Sequence, residues 1–430
     1  MMKIRFLLAL ALIVTALGAG ALAQSPAARA QSPTVVEIYF PIAVDSPITE
    51  ILNEYAATYE ASHPDVDIVF SFEGAYTDVK TKLQTTMEGG GQLPTLAIML
   101  ATDIYDLRNA ELVQPWDAYA SADYLADFFP TWLANSYYDY DADGTPELYG
   151  IPFQRSTVLL YFNKDLLAEK GLNPPTTWKE LAEDAQALTT DTRWGILNPN
   201  SWPYWVFQPL AIGAGENIVS DSDTEVFFDT PAVIDALQYW LDLDKVYHAT
   251  PAGVQSNWGD APGLFADGAA AMIIHSTGSL PSILGKAQFE VGVSALPGKD
   301  GGFATVTGGG NLYLVAGTDD ATAQAAFGFV DWLTSPEMAV DWSIRTGYIA
   351  TRQSGLELDA WKAYVAEHPQ AAEAAATIDV AGREFSVQSL GDVRNSFHAH
   401  VLDVLNGVAT PADAMAAAQK EADDLLSIYK

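Results

Sequence analysis

Residues 198–210 read NPNSWPYWVFQPL, with Trp202 and Trp205 three apart around Pro203 and Tyr204. Indole faces stack on the C–H surfaces of sugars and attract cations, so two of them on one surface can hold a polar ligand. A three-residue spacing puts the rings on opposite sides of a strand but on one face of a helix. Ser201 is an eligible N-cap and Pro203 is tolerated in a first turn, which predicts a helix starting here and kinked at Pro209. Both rings would then flank a helix N-terminus, whose free N–H groups attract anions and polar oxygens. Tryptophans also build cores, and the residues alone leave the two roles balanced.

Other candidates are weaker. STGSL (276–280) and TGGGN (307–311) are glycine-rich turns beside apolar strands, where backbone N–H groups can approach a ligand closely, although a plain turn has the same composition. In DYDADGTPELYG (139–150), Asp139, Asp141 and Asp143 stand at positions 1, 3 and 5 of a calcium loop, with Gly144 at position 6. Position 12, which needs a bidentate glutamate, is Gly150, and Glu147 at position 9 compensates only in part. The stretch therefore reads as a solvated turn or a weak structural Ca²⁺ site, and no other cofactor is expected. The histidines are scattered, with His398 and His400 directed to different faces of any helix. Phosphate-loop, dinucleotide, nucleophile-elbow and zinc-protease patterns are all missing. A secreted glycoside hydrolase would need two facing carboxyl groups, a pair that 55 acidic residues leave open.

The elements that would position these residues alternate between strand and helix. VVEIYF (35–40), VDIVFSF (66–72) and TLAIML (95–100) are strand-like, and Ser46-Pro47 and Tyr76 open helices between them. A strand apolar at every residue belongs inside a sheet covered on both faces, so the sequence predicts an α/β fold with parallel strands and crossover helices. The grammar returns in the capping box Thr177-x-x-Glu180 and in helices opened at Thr230-Pro231, Ser335-Pro336 and Thr410-Pro411, with strands over 270–275 and 289–296.

The 430 residues carry a formal charge of -34 without a basic cluster, which argues against nucleic acid as a partner. Lys3 and Arg5, the apolar stretch from Phe6 to Gly20 and Ala21-Leu22-Ala23 form a signal peptide pattern with cleavage before Gln24; Ala30 is a second candidate site. With no cysteine, neither a disulfide nor a lipidated N-terminus is available, so a free secreted protein, periplasmic or extracellular, is expected.

Taken together, EGAYTDVKTKLQTTMEGGGQLPTLAIM (73–99), LYGIPFQRSTVLLYFNKDLLAEKGLNPPTTWKELAEDAQAL (148–188), LFADGAAAMIIHSTGSL (264–280), GGGNLYLVAG (308–317) and FVDWLTSPEMAVDWSIRTGYIATRQS (329–354) resemble the family-1 extracellular solute-binding proteins of ABC importers. That group includes glycerol-3-phosphate-binding and maltose-binding proteins. The resemblance implies two α/β lobes joined by strand crossovers and closing on a ligand like a hinged clamp, with a mostly parallel sheet in each: 34–157 with 297–347, and 158–296 with 348–430. It implies no catalysis, a small-molecule ligand, a membrane permease as partner and a monomer. The glycerol-3-phosphate-binding pattern falls on Tyr76, Ser156, Trp202, Trp205, Ser276, Gly308 and Gly309, Tyr348 and, as a phosphate clamp, Arg394. An oligosaccharide is the alternative ligand, and signalling to a receptor the alternative task. One position departs: a glutamate expected after the third strand is Ala101, with Asp103 two residues on. Arg155 beside Ser156 is an addition, either a second anionic contact or a surface ion pair.

Overall fold

The computed structural model describes residues 32–200, 202–253 and 258–429. The signal peptide pattern and the Ser201 cap lie outside the described residues.

Three parallel strands open the chain: β1 Thr34–Phe40 lies between β2 Val66–Phe72 and β3 Leu96–Leu100, connected by helices α1 Ile48–Glu60 and α2 Tyr76–Glu88. Two long strands follow later, β4 Gly150–Asn163 and β8 Phe303–Val315, and they pair antiparallel with each other. The upper part of β8 pairs antiparallel with β3, extending the first sheet. The far end of β4 pairs antiparallel with β6 Ala270–Ser276 and β7 Val291–Ser294; β6 in turn carries β5 Trp194–Leu197 in parallel. Two sheet regions therefore share β4 and β8. Each is mixed rather than mostly parallel, because a strand that serves both must enter at least one of them against the local direction.

Side-chain alternation in the shared strands shows why both faces are covered. In β8, Leu312 and Leu314 enter a core with Val36, Ile38, Leu52 and Phe329, while Tyr313 and Val315 face Val79, Leu83 and Met99 on the other side. In β4, Val158, Leu160 and Phe162 join Phe207, Trp240 and Phe397, while Leu159 and Tyr161 join Phe265, Ile273 and Trp361. Every residue of β4 is buried, the polar stretch Gln154 to Thr157 as well as the apolar run Val158 to Phe162.

Several of the remaining helices open at a proline, whereas Leu390–Leu405 follows Ser389 without one. Those used below are α3 Pro203–Gly213, α4 Pro336–Thr346, capped by Ser335 Oγ on the Met338 N–H, α5 Leu390–Leu405 and α6 Pro411–Leu426. Along α3 every residue from Pro203 to Ala211 is buried, so it is a core helix rather than an amphipathic one.

Gly309 allows β4 and β8 to meet. Its φ is +95°, and a Cβ there would lie 1.8 Å from the Gln154 carbonyl oxygen. Gly309→Ala is therefore expected to cost at least about 2 kcal/mol, read as a lower urea midpoint at unchanged slope.

Candidate ligand-binding cleft

A cavity of about 560 Å³ opens where the two sheet regions meet, within the size range of small-molecule sites. Its walls come from separate parts of the chain: the loop after β1 (Ile42 to Asp45), the start of α2 (Ala75 to Thr77), Leu100 ending β3, Ser156 of β4, the start of α3, Trp258 to Pro262, the end of β6, Gly309, Tyr348 and Glu384. Strand ends and helix starts converge here, as is usual for clefts in α/β sheets.

Of the residues picked out in the sequence, Tyr76, Ser156, Trp202, Trp205, Ser276, Gly309 and Tyr348 line this cavity. The Tyr76 hydroxyl donates to Gln154 Oε1 at 3.0 Å, and the Tyr348 ring lies parallel to Trp342, 6.0 Å away. Arg155 and Arg394 are not part of the lining. Arg155 is fully buried, with its guanidinium 5.2 Å from the Trp132 ring and Nη1 donating to Asn311 Oδ1 at 3.3 Å, so it makes no surface ion pair. Arg394 lies 4.4 Å over the ring of Trp202. Both guanidiniums keep buried N–H donors without a partner: Nε and Nη2 of Arg155, Nε and Nη1 of Arg394.

The two tryptophans reach the cavity by a different route from a shared helical face. Trp202 precedes α3 with φ -135° and ψ 67°, and only Trp205 belongs to its first turn. Proline disfavours the helical region for the residue before it, so Pro203 holds Trp202 out of the helix. Trp202 is half-buried, edge-on to Tyr204 and His398. Trp205 is buried in the core of β4 and α3 and donates Nε1–H to the Thr307 carbonyl at 2.8 Å, while a Cβ on Gly308 would lie 2.4 Å from its ring. It is both core and wall.

Several wall residues carry no periodic signal and were missed. Glu384 is one acid among 55, in a stretch between elements. It is 1% exposed, and its Oε1 accepts the Tyr204 hydroxyl at 2.9 Å. Burial pushes its pKa up to about 7, against the pull of Arg155, Tyr204 and Arg394. His275 immediately precedes the STGSL turn; it stacks on Trp258 at 3.7 Å and is bonded through Nδ1 to Ser279 Oγ and through Nε2 to the Trp258 carbonyl. Burial lowers its pKa to about 4, so it is neutral at pH 7. His398, behind Trp202, accepts the Tyr204 N–H on Nε2; burial and then Arg394 lower its pKa to about 3.

Two further stretches singled out in the sequence lie away from the cavity lining. Asp139 accepts the N–H groups of Asp143 and Gly144, and Asp143 that of Thr145, which makes the loop a carboxylate-capped turn. Among the described residues no cluster of three or more His, Cys, Asp or Glu side chains is placed to hold a metal, Asp139, Asp141, Asp143 and Glu147 included. Asp103, near the expected acid, lies 3.3 Å from Lys80 Nζ and is not in the cavity lining.

The family profile of the bacterial extracellular solute-binding proteins matches residues 54–370. The chain belongs to this family. As a solute-binding protein it is one of a group that captures small molecules for ABC permeases. The sn-glycerol-3-phosphate-binding periplasmic protein UgpB of Yersinia enterocolitica is 26% identical, over 93% of this chain and 94% of that one. Among solved structures, UgpB from Mycobacterium tuberculosis in complex with glycerophosphocholine superposes with a TM-score of 0.81 at 20% identity, covering 93% and 99% of the two chains. The maltodextrin-binding domain MalE of Bdellovibrio bacteriovorus, bound to maltotriose, gives 0.77 at 20% identity, covering 92% and 100%. The solute-binding protein thus has the two-lobe periplasmic-binding-protein fold. No helix among the described residues is long and apolar enough to cross a membrane.

Proposed function

We propose that this protein captures glycerol-3-phosphate or a glycerophosphodiester in the cleft and delivers it to an ABC permease. Its two lobes are residues 34–157 with 297–347 and 158–296 with 348–430, and they close around the bound ester. The protein acts without catalysis or cofactor, as a monomer released by signal cleavage near residue 23 and without a lipid anchor.

The observation that carries this reading is the charge behind the aromatic wall. Arg155 and Arg394 are buried with two unpartnered donors each, and Glu384 is the carboxylate that both act on. Two guanidiniums against one carboxylate leave positive charge in a poorly solvated wall, where an anion is attracted far more strongly than in water. The glycerol-3-phosphate-binding relatives support the same assignment.

A second reading, an oligosaccharide, has its own observation. The rings of Tyr76, Trp202, Tyr204, Trp205, Trp258 and Tyr348 line the cavity, and no lysine or arginine among the described residues does. Titration calorimetry of the empty protein with glycerol-3-phosphate, glycerophosphocholine, maltose and trehalose separates the two. Heat is expected with a phosphate ester and none with the sugars; the reverse would replace the first reading by the second.

A further inference from the structure

The carboxylate that would hold ligand hydroxyls is missing where the third strand ends, because Ala101 stands there, fully buried in a short 3₁₀ turn and off the cavity lining. From the far end of the chain, Glu384 brings a carboxylate to the same cavity. We propose that Glu384 is the hydroxyl-binding residue of this site, accepting hydrogen bonds from the polyol part of the ligand.

The case rests on one oxygen. Glu384 Oε1 is taken by the Tyr204 hydroxyl, but Oε2 is buried without a partner. An ionised carboxylate only accepts hydrogen bonds, and a buried acceptor left unmade is costly, so the side chain is completed by a donor arriving in the cavity. Ligand hydroxyls are such donors. The positive charge needed to keep a carboxylate here is already supplied by Arg155 of β4 and Arg394 of α5, so a ligand cation is not required. This inference rests on the reading of the preceding section only in that its ligand carries hydroxyls, as the esters and the sugars both do.

The test uses the full mature chain as wild type, Glu384→Gln and Glu384→Ala, titrated with glycerol-3-phosphate, glycerophosphocholine, maltose and n-propyl phosphate, which lacks the hydroxyls. Glu384→Gln is expected to weaken glycerol-3-phosphate and glycerophosphocholine on the order of 10- to 100-fold, the effect of losing a hydrogen bond to a charged group. It should leave n-propyl phosphate unchanged, and the loss of affinity should exceed any change in the melting temperature of the empty variant, because the amide keeps the shape of the side chain and its oxygen can still accept the Tyr204 hydroxyl. A pH series with glycerophosphocholine, whose phosphodiester does not titrate near neutrality, adds a second readout. Around Glu384 the charged and titratable groups are Arg155, Arg394, Tyr204 and Asp103, and its own pKa is near 7. Wild-type affinity should rise between about pH 6 and about pH 8 as the carboxylate ionises, and Glu384→Gln should be flat. Unchanged affinity in Glu384→Gln, a loss matched by a lower melting temperature in both variants, or a loss with glycerophosphocholine alone would overturn the proposal, the last by making Glu384 a cation holder. If wild type binds maltose and neither ester, the phosphate reading fails while the same comparison on maltose still decides Glu384. Binding of none of the four probes overturns both.

Discussion

Arg394→Met is expected to lower affinity for glycerol-3-phosphate by on the order of 100-fold while leaving the melting temperature of the empty protein unchanged or higher. The guanidinium is buried over Trp202 with Nε and Nη1 unpartnered, so in the empty protein it contributes desolvation cost without the hydrogen bonds that would offset it. Methionine keeps much of the length and the packing on the indole and removes the charge. Glu384 keeps Arg155, the larger of its two cationic influences, so no carboxylate is left without a counter-charge. What is lost is the charge that makes the wall attractive to an anion, worth about 1.5–3 kcal/mol for a bond to a charged group. The measurement is calorimetry beside thermal denaturation. An affinity for glycerol-3-phosphate equal to that of wild type would remove Arg394 from the site, and a parallel loss for maltose would show that its role is to support Trp202.

The two tryptophans should separate in the same pair of measurements. Trp205→Ala is expected to abolish detectable binding and also to destabilise the empty protein by about 3–5 kcal/mol, the range for emptying a buried tryptophan site. Its ring fills the space over Gly308, its N–H is bonded to Thr307, and it belongs to the core shared by β4 and α3. Trp202→Ala should weaken binding comparably at a smaller cost in stability, because that ring is only half-buried. Equal damage to stability from both would mean that Trp202 too is principally core.

Much of this arrangement was legible in the chain. The strand at 66–72 and the helix at 231–245 occur as read, because alternating or continuous apolar runs bounded by proline and threonine caps leave few other solutions. Of the seven cavity positions transferred by resemblance, Tyr76, Trp202, Trp205, Ser276 and Tyr348 sit at or beside the end of an element, whereas Ser156 and Gly309 lie mid-strand. The direction of the shared strands was not legible. An apolar run records that both its faces are covered, and carries no information about which neighbour runs antiparallel. The single-face geometry of Trp202 and Trp205 was misread because spacing was weighed without the restriction that Pro203 places on the residue before it. Glu384 and His275 escaped because a polar side chain buried by distant parts of the chain leaves no local periodicity.

The positions of the charged wall groups have a further consequence. The family profile spans 54–370, yet Asp45, Glu384 and Arg394 all lie outside it, and of the charged groups discussed around the cavity only Arg155 and the more distant Asp103 fall within. Arg394 stands on a helix whose Val393, Phe397 and Val401 belong to the same core as α3, so the guanidinium is held in place by the packing that also seats Trp205.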